Sequence, residues 1–257
     1  MFVKFHPVIL DRNVLVEIAR YLENHQETER IQRIKALDEP SNWIFMVMVP
    51  IEERQDRPDN FEKNAALVSS FFVNAQTDAA QAIEAAELAY QSEIGFKDNF
   101  YERLLAFYLG VKKELAQKRK HEDFLKIEDF IVSQADSNGI PRWHPIVLTA
   151  LGVLYDNNDA NKVLKFARDE DPHNPISDIL LIIRVTSFSM YPKWEIMFHN
   201  DLKFITFDTG LSNIFAAFDL AILGGNLKSG KNGCPVGKSF FPRVGDGWDR
   251  LREKIEA

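Results

Sequence analysis

The chain has a single cysteine, Cys234, among 257 residues, which excludes an intrachain disulfide and any zinc cluster built from several thiolates. Long apolar runs are missing too. The best candidate, residues 179–183, meets Arg184, far short of the roughly 20 apolar residues a membrane helix needs. Met1-Phe2-Val3-Lys4-Phe5-His6-Pro7 lacks the charged-then-apolar order and small-residue cleavage site of a secretory signal, so a cytoplasmic protein is expected. Cations are the minority, with 31 Lys and Arg against 38 Asp and Glu and a net charge of −7. That balance argues against a protein that coats nucleic acid through its phosphates. There is no His-Glu-x-x-His pair, no Gly-x-Ser-x-Gly elbow and no Gly-x-Gly-x-x-Gly fingerprint. The histidines are dispersed, and whether His144 or His173 reaches a site is a matter for three dimensions.

Hydrophobic residues make up 46% of the chain, ample for a buried core in one large domain or two small ones. Val8-Ile9-Leu10 runs into Asp11-Arg12-Asn13, after which Val14, Leu15, Ile18, Ala19 and Leu22 recur at helical spacing. A more polar helix with Ile31, Ile34 and Leu37 precedes Glu39-Pro40. Residues 43–49 form a continuous apolar run stopped by Pro50, the mark of a buried parallel strand. Strand, helix, strand is the opening order of a parallel α/β sheet. From Phe61 the pattern turns helical. Phe61, Ala65, Val68, Phe72 and Ala75 share a face, a break is expected near Thr77-Asp78, and an alanine-rich stretch continues to Tyr90. Further helices are expected over 100–116, 122–132, 146–155 and 161–168. A helix opening at Asp178 and reaching Met190 follows, then a strand over 203–207, a helix over 210–221, and a Gly- and Lys-rich tail from Gly224 ending in a turn or short helix over 248–255.

Three acids stand where an apolar strand or run meets a helix: Asp11, Asp178 and Asp208. Taken singly, each is a good helix N-cap, because Asp accepts the unpaired amides of a first turn. If the two strands are neighbours in one sheet, their carboxyl ends and the Asp178 helix start face one crevice, where open α/β sheets bind ligands. Clustered carboxylates repel and need protons or cations, and their hard oxygens suit Mg2+ or Mn2+.

The local text around these acids is more specific than a cap requires. Asp11-Arg12-Asn13-Val14-Leu15 after an apolar strand, then Ser177-Asp178-Ile179-Leu180-Leu181, then Phe204-Ile205-Thr206-Phe207-Asp208, resembles PIN-domain nucleases. In that family the first strand ends in an Asp-x-Asn-like motif and a later strand ends in Thr-x-Asp. The resemblance covers only the two ends of the chain, and a simple PIN domain is much shorter. It therefore implies a single PIN-like domain over 1–257, α/β, with a short, mainly parallel sheet flanked by helices. Its core comes from about 1–60 and 172–223, with an all-helical insertion over about 61–171 and a tail over 224–257. The implied activity is divalent-metal-dependent hydrolysis of phosphodiester bonds, with single-stranded or structured RNA preferred to DNA. The toxin branch of the family would add a neutralising protein partner, and a homodimer stays open. Asp11, Asp178 and Asp208 are the expected metal ligands and catalytic acids. Asn13 would orient a carboxylate or metal-bound water, and Thr206 would supply a supporting hydroxyl. The family's further acid follows its second strand. Glu53 is the preferred match, with Glu52 and Glu62 as alternatives.

Other signals are weaker. Gly225-Asn226-Leu227-Lys228-Ser229-Gly230-Lys231-Asn232 nearly spells a phosphate-binding loop, but Asn232 replaces the required Ser or Thr and Gly233-Cys234-Pro235 stops a helix, so a flexible tail is expected. The basic groups Lys112-Lys113 to Lys120, and Lys228, Lys231, Lys238 and Arg243, read first as solvated faces. Phe240-Phe241-Pro242 is expected to pack the tail back onto the domain. The competing function is a non-catalytic protein-interaction module whose acids only cap helices. A magnesium-dependent hydrolase of small phosphomonoesters is a third reading.

Overall fold

The computed structural model of the protein describes residues 4–46, 58–78, 100–117, 120–168, 171–188, 202–218, 220–223, 226–229 and 234–257. They fall into two compact units, Met1–Ile94 with Ser187–Asp208 and Gly95–Thr186 with Thr209–Ala257.

The first unit is built on β1 (His6–Leu10), α1 (Arg12–Asn24), α2 (Glu29–Lys35), β2 (Asn42–Phe45), α3 (Pro58–Phe71), β3 (Gln76–Thr77) and β4 (Lys203–Ile205). All four strands are parallel, in the order β3-β2-β1-β4. The short parallel α/β sheet expected from the sequence is therefore present. Pro7 to Leu10 of β1 are buried, as a strand with neighbours on both sides and covered faces requires, hence its unbroken apolar text. Ile9 pairs with Phe45 and Phe204, and Leu10 pairs with Ile205. Val14, Leu15 and Ile18 of α1 and Ile31 and Ile34 of α2 pack with Val8, Leu10, Ile44, Met46, Val68 and Phe72 in one core. Burial of a Leu or Ile side chain of this kind contributes about 1.5–3 kcal/mol. Thr28 starts α2, its hydroxyl accepting from the Ile31 amide at 3.2 Å.

The helix expected to reach Ala75 ends at Phe71. The Asp38 carboxylate accepts from the amides of Val73, Asn74 and Ala75 at 3.2, 2.8 and 2.8 Å. Those donors cannot then serve a helix, and the chain turns into β3. Burial alone would raise the Asp38 carboxyl, but the backbone donors outweigh it and hold it below its ordinary value.

The second unit carries α4 (Glu102–Leu115), α5 (Phe124–Ser137), α6 (Pro145–Leu154), α7 (Asn158–Leu164), α8 (His173–Phe188), α9 (Thr209–Ala217), a hairpin of β5 (Leu220–Leu223) and β6 (Asn226–Ser229), and α10 (Trp248–Glu256). Every residue of α6 is buried, which its apolar text, Pro-Ile-Val-Leu-Thr-Ala-Leu-Gly-Val-Leu, allows at little desolvation cost. A methyl group on Gly152 would lie 2.9 Å from a Phe240 ring carbon, so glycine is what admits that ring against α6. Phe240 and Phe241 are both buried, and the Asn157 amide donates to the Phe240 carbonyl at 2.8 Å. The expected packing of this pair is thus observed.

Two expectations are corrected in this unit. The helix foreseen over 210–221 stops at Ala217, and Leu220–Leu223 pairs antiparallel with Asn226–Ser229. The near-phosphate-loop text therefore includes a strand instead of a flexible tail. Among the described residues, no helix is long and apolar enough to cross a membrane.

Candidate functional site

The carboxyl ends of β1 and β4 lie side by side because Leu10 pairs with Ile205, and the Asp11 amide donates to the Ile205 carbonyl at 3.0 Å. From β1 the sheet proceeds through β2 to β3 on one side, whereas β4 lies on the other. That reversal is the topological switch point at which open α/β sheets accept ligands.

Asp11 occupies the N-cap position of α1 but makes no side-chain cap bond. Its carboxylate, buried at 5% exposure, instead accepts from the Asn13 side-chain amide and, at 2.5 Å, from the Thr206 hydroxyl. Asn13 Nδ2 also lies 2.9 Å from Thr206 Oγ1, and Asn13 Oδ1 accepts the Phe207 amide at 2.9 Å. Thr206 Oγ1 in turn accepts the Asp208 amide at 3.0 Å. Four of the residues singled out in the sequence, Asp11, Asn13, Thr206 and Asp208, are thus joined in one network across two strands. A simple helix cap accounts for none of these bonds.

Asp178 belongs to the second unit and is the sixth residue of α8, not its start. The start lies upstream, where the Asp171 carboxylate accepts the His173 amide at 3.0 Å. Pro175 is tolerated in the first turn because its missing N–H would have no partner there. Glu52 and Glu53 lie outside the described residues. Glu62 is exposed on α3.

One acid at this edge was missed by sequence reasoning. Asp78 follows β3, is 9% exposed, and accepts the Met46 amide at 2.9 Å. Its own amide donates to the Ile44 carbonyl at 3.1 Å. These two bonds tie Asp78 to the end of β2. Among the described residues, no group of three His, Cys, Asp or Glu side chains is arranged to hold a metal ion.

The second unit has polar features of its own. Glu128, fully buried, accepts from Arg250, Lys254 and Tyr155 and ties α10 to α5 and α6. Burial would raise the Glu128 carboxyl, but these donors outweigh it and hold it below its ordinary value. Burial and the Glu128 bond push the Tyr155 hydroxyl up. His144 is buried at the N-cap of α6, where its Nδ1 accepts the Ile146 amide at 3.2 Å. Desolvation depresses its pKa to about 3, so this histidine is a neutral cap. His173 lies between the Tyr101 hydroxyl at 2.8 Å and the Ser177 hydroxyl at 3.0 Å. Cys234 is buried and its thiol is pushed up by desolvation, the environment of an inert thiol. Arg243, from one of the basic groups, is paired with Asp156 at 2.6 Å.

Compared with known families, curated proteins and solved structures, the chain matches no family model, no curated protein and no solved structure.

Proposed function

We propose that the protein is a divalent-cation-dependent nuclease of PIN-like type, hydrolysing phosphodiester bonds in RNA in preference to DNA. Support comes above all from one observation. The buried Asp11 carboxylate at the end of the central strand is held by Asn13 and by Thr206 of the neighbouring strand segment. The reading rests on first-unit residues alone.

The donor set suits Mg2+ or Mn2+. Magnesium is commonly held by one or two carboxylates, with water and substrate phosphate filling the other positions. Asp11 and Asp208 meet that need without a third acid, and Glu53 is the acid proposed to join them. When bound, the cation supplies Lewis acidity and lowers the pKa of a bound water. Asn13 and Thr206 fix the plane of the Asp11 carboxyl group, so its orientation need not be reorganised when substrate arrives. Thr206 also anchors the backbone at Asp208. The acids must be ionised to hold a cation, so cation binding competes with protons.

The experiment is a thermal melt with Mg2+, Mn2+ or EDTA, followed by a substrate panel of single-stranded RNA, single-stranded DNA and a phosphomonoester. A ligand bound only by the native state raises Tm by mass action. A metal-dependent rise that Asp208→Asn abolishes, with cleavage of RNA ahead of DNA, supports the proposal. Turnover of the phosphomonoester alone would replace it with a small-molecule phosphohydrolase. No shift and no cleavage would favour a protein-interaction module.

A further inference from the structure

Helix α2 reads Glu-Arg-Ile-Gln-Arg-Ile-Lys, and its buried residues are Ile31 and Ile34. Arg30 and Arg33, three apart, are therefore turned outward together, and both are exposed. Their guanidinium carbons lie 5.0 and 6.0 Å from the centre of the Phe207 ring. Phe207 is the residue between Thr206 and Asp208, and its amide donates to Asn13. Two cations are thus seated on a ring that belongs to the candidate site, in a chain whose net charge is −7.

A guanidinium held against an aromatic ring by cation–π attraction has five N–H donors and keeps those not otherwise bonded for phosphate. Arg30 gives Nη1 to Glu17 at 3.0 Å, and Glu17 also accepts from Arg20 at 3.3 Å. Glu17 thereby orients Arg30 while competing with any incoming anion. We infer that Arg30 and Arg33 are a phosphate-binding pair that holds the sugar-phosphate backbone of single-stranded RNA beside the Asp11–Asp208 edge. The pair positions substrate and takes no part in bond cleavage. The choice of RNA as ligand and the role in turnover rest on the nuclease reading, whereas phosphate binding by the pair is read separately from cleavage.

The test is fluorescence anisotropy of a labelled single-stranded oligoribonucleotide in EDTA, across a salt series, with cleavage in Mn2+ measured on the same proteins. Each phosphate contact to a single strand contributes about 0.7 to the slope of log affinity against log salt. The double variant Arg30→Ala/Arg33→Ala is expected to bind roughly tenfold more weakly at low salt, with a slope smaller by about 1.4. Arg30→Lys/Arg33→Lys, which keeps the charge and loses the fork, is expected to fall between. Glu17→Gln, which removes the carboxylate that competes for Arg30, is expected to bind more tightly. Wild-type affinity and slope in the double alanine variant would overturn the inference even if cleavage were intact, and so would the absence of wild-type binding. Arginine-dependent binding without cleavage would uphold the binding face and remove the nuclease reading.

Discussion

Replacing Glu128 by alanine removes the carboxylate that receives Arg250 and Lys254 of α10 and Tyr155 at the C-terminal end of α6. Glu128 has no exposed side-chain surface, whereas Arg250 and Lys254 keep 39% and 22% of theirs. Breaking a buried pair generally costs about 3–5 kcal/mol, because a charge is left without a partner. Here the surviving cations can turn toward water, so the lower end, about 3 kcal/mol, is the expected loss. Glu128→Gln, which keeps volume and one acceptor, should lose less. The double variant Glu128→Ala/Arg250→Ala should lose less than the sum of the singles, since each single already breaks the shared bond. The assay is equilibrium urea unfolding followed by tryptophan fluorescence, which includes Trp248 at the start of α10. The folded-state pKa of Glu128 is depressed, so its stabilisation is complete above the ordinary carboxylate value of 4.5 and is lost as pH falls below it. A loss below about 1 kcal/mol for Glu128→Ala, or strict additivity with Arg250→Ala, would refute this account of how α10 is held.

His144 should produce a separate acid sensitivity. Its folded pKa of about 3 lies below the ordinary 6.5, so the unfolded chain takes up a proton first and stability falls as pH drops from about 6.5 toward 3. Unfolding of His144→Gln across that range should show a shallower pH slope than the wild type, and an unchanged slope would contradict the buried neutral cap. Asp38→Ala should cost about 1 kcal/mol, because the amides of Val73 and Asn74 that lose their acceptor lie at the surface and can turn to water. Hydrogen exchange at residues 73–77 should accelerate more than in α6. Thr206→Val should lower any metal-dependent cleavage while leaving Tm within a few degrees, because it removes the hydroxyl shared by Asp11 and Asp208. Equal cleavage rates would show that this hydroxyl is dispensable.

The sheet that carries the site was legible because Val8-Ile9-Leu10 of β1 and Phe204-Ile205 of β4 are apolar and each is followed within a few residues by polar ones. Adjacency of those strands was only the condition for a shared crevice; the pairing of Leu10 with Ile205 meets it, and the side-chain bonds among Asp11, Asn13 and Thr206 are its local consequence. By contrast, β3 has only Gln76 and Thr77, too few for periodicity, and it exists because Asp38 captures the preceding amides from 35 residues away or more. Asp78 was passed over for that reason. Leu220-Ala221-Ile222-Leu223 continues a helical pattern as readily as it forms a strand. Pairing with Asn226–Ser229 decides the matter, and Gly224-Gly225 between them was the available hairpin signal. The true start of α8 was written in Asp171-Pro172, but Pro175 obscured it. Burial of Glu128 was not legible at all, because its partners Arg250 and Lys254 lie more than 120 positions along the chain.

The most direct measurement is cleavage of single-stranded RNA by the purified protein in Mn2+ or Mg2+, beside EDTA and beside Asp11→Asn. The Asn side chain keeps the volume at the end of β1 and removes the charge. The account predicts metal-dependent cleavage by the wild type, with none in EDTA and none from a folded Asp11→Asn protein. Undiminished cleavage by that variant, or no cleavage by the wild type with either metal, would contradict the assignment of Asp11 and its network as a nuclease site.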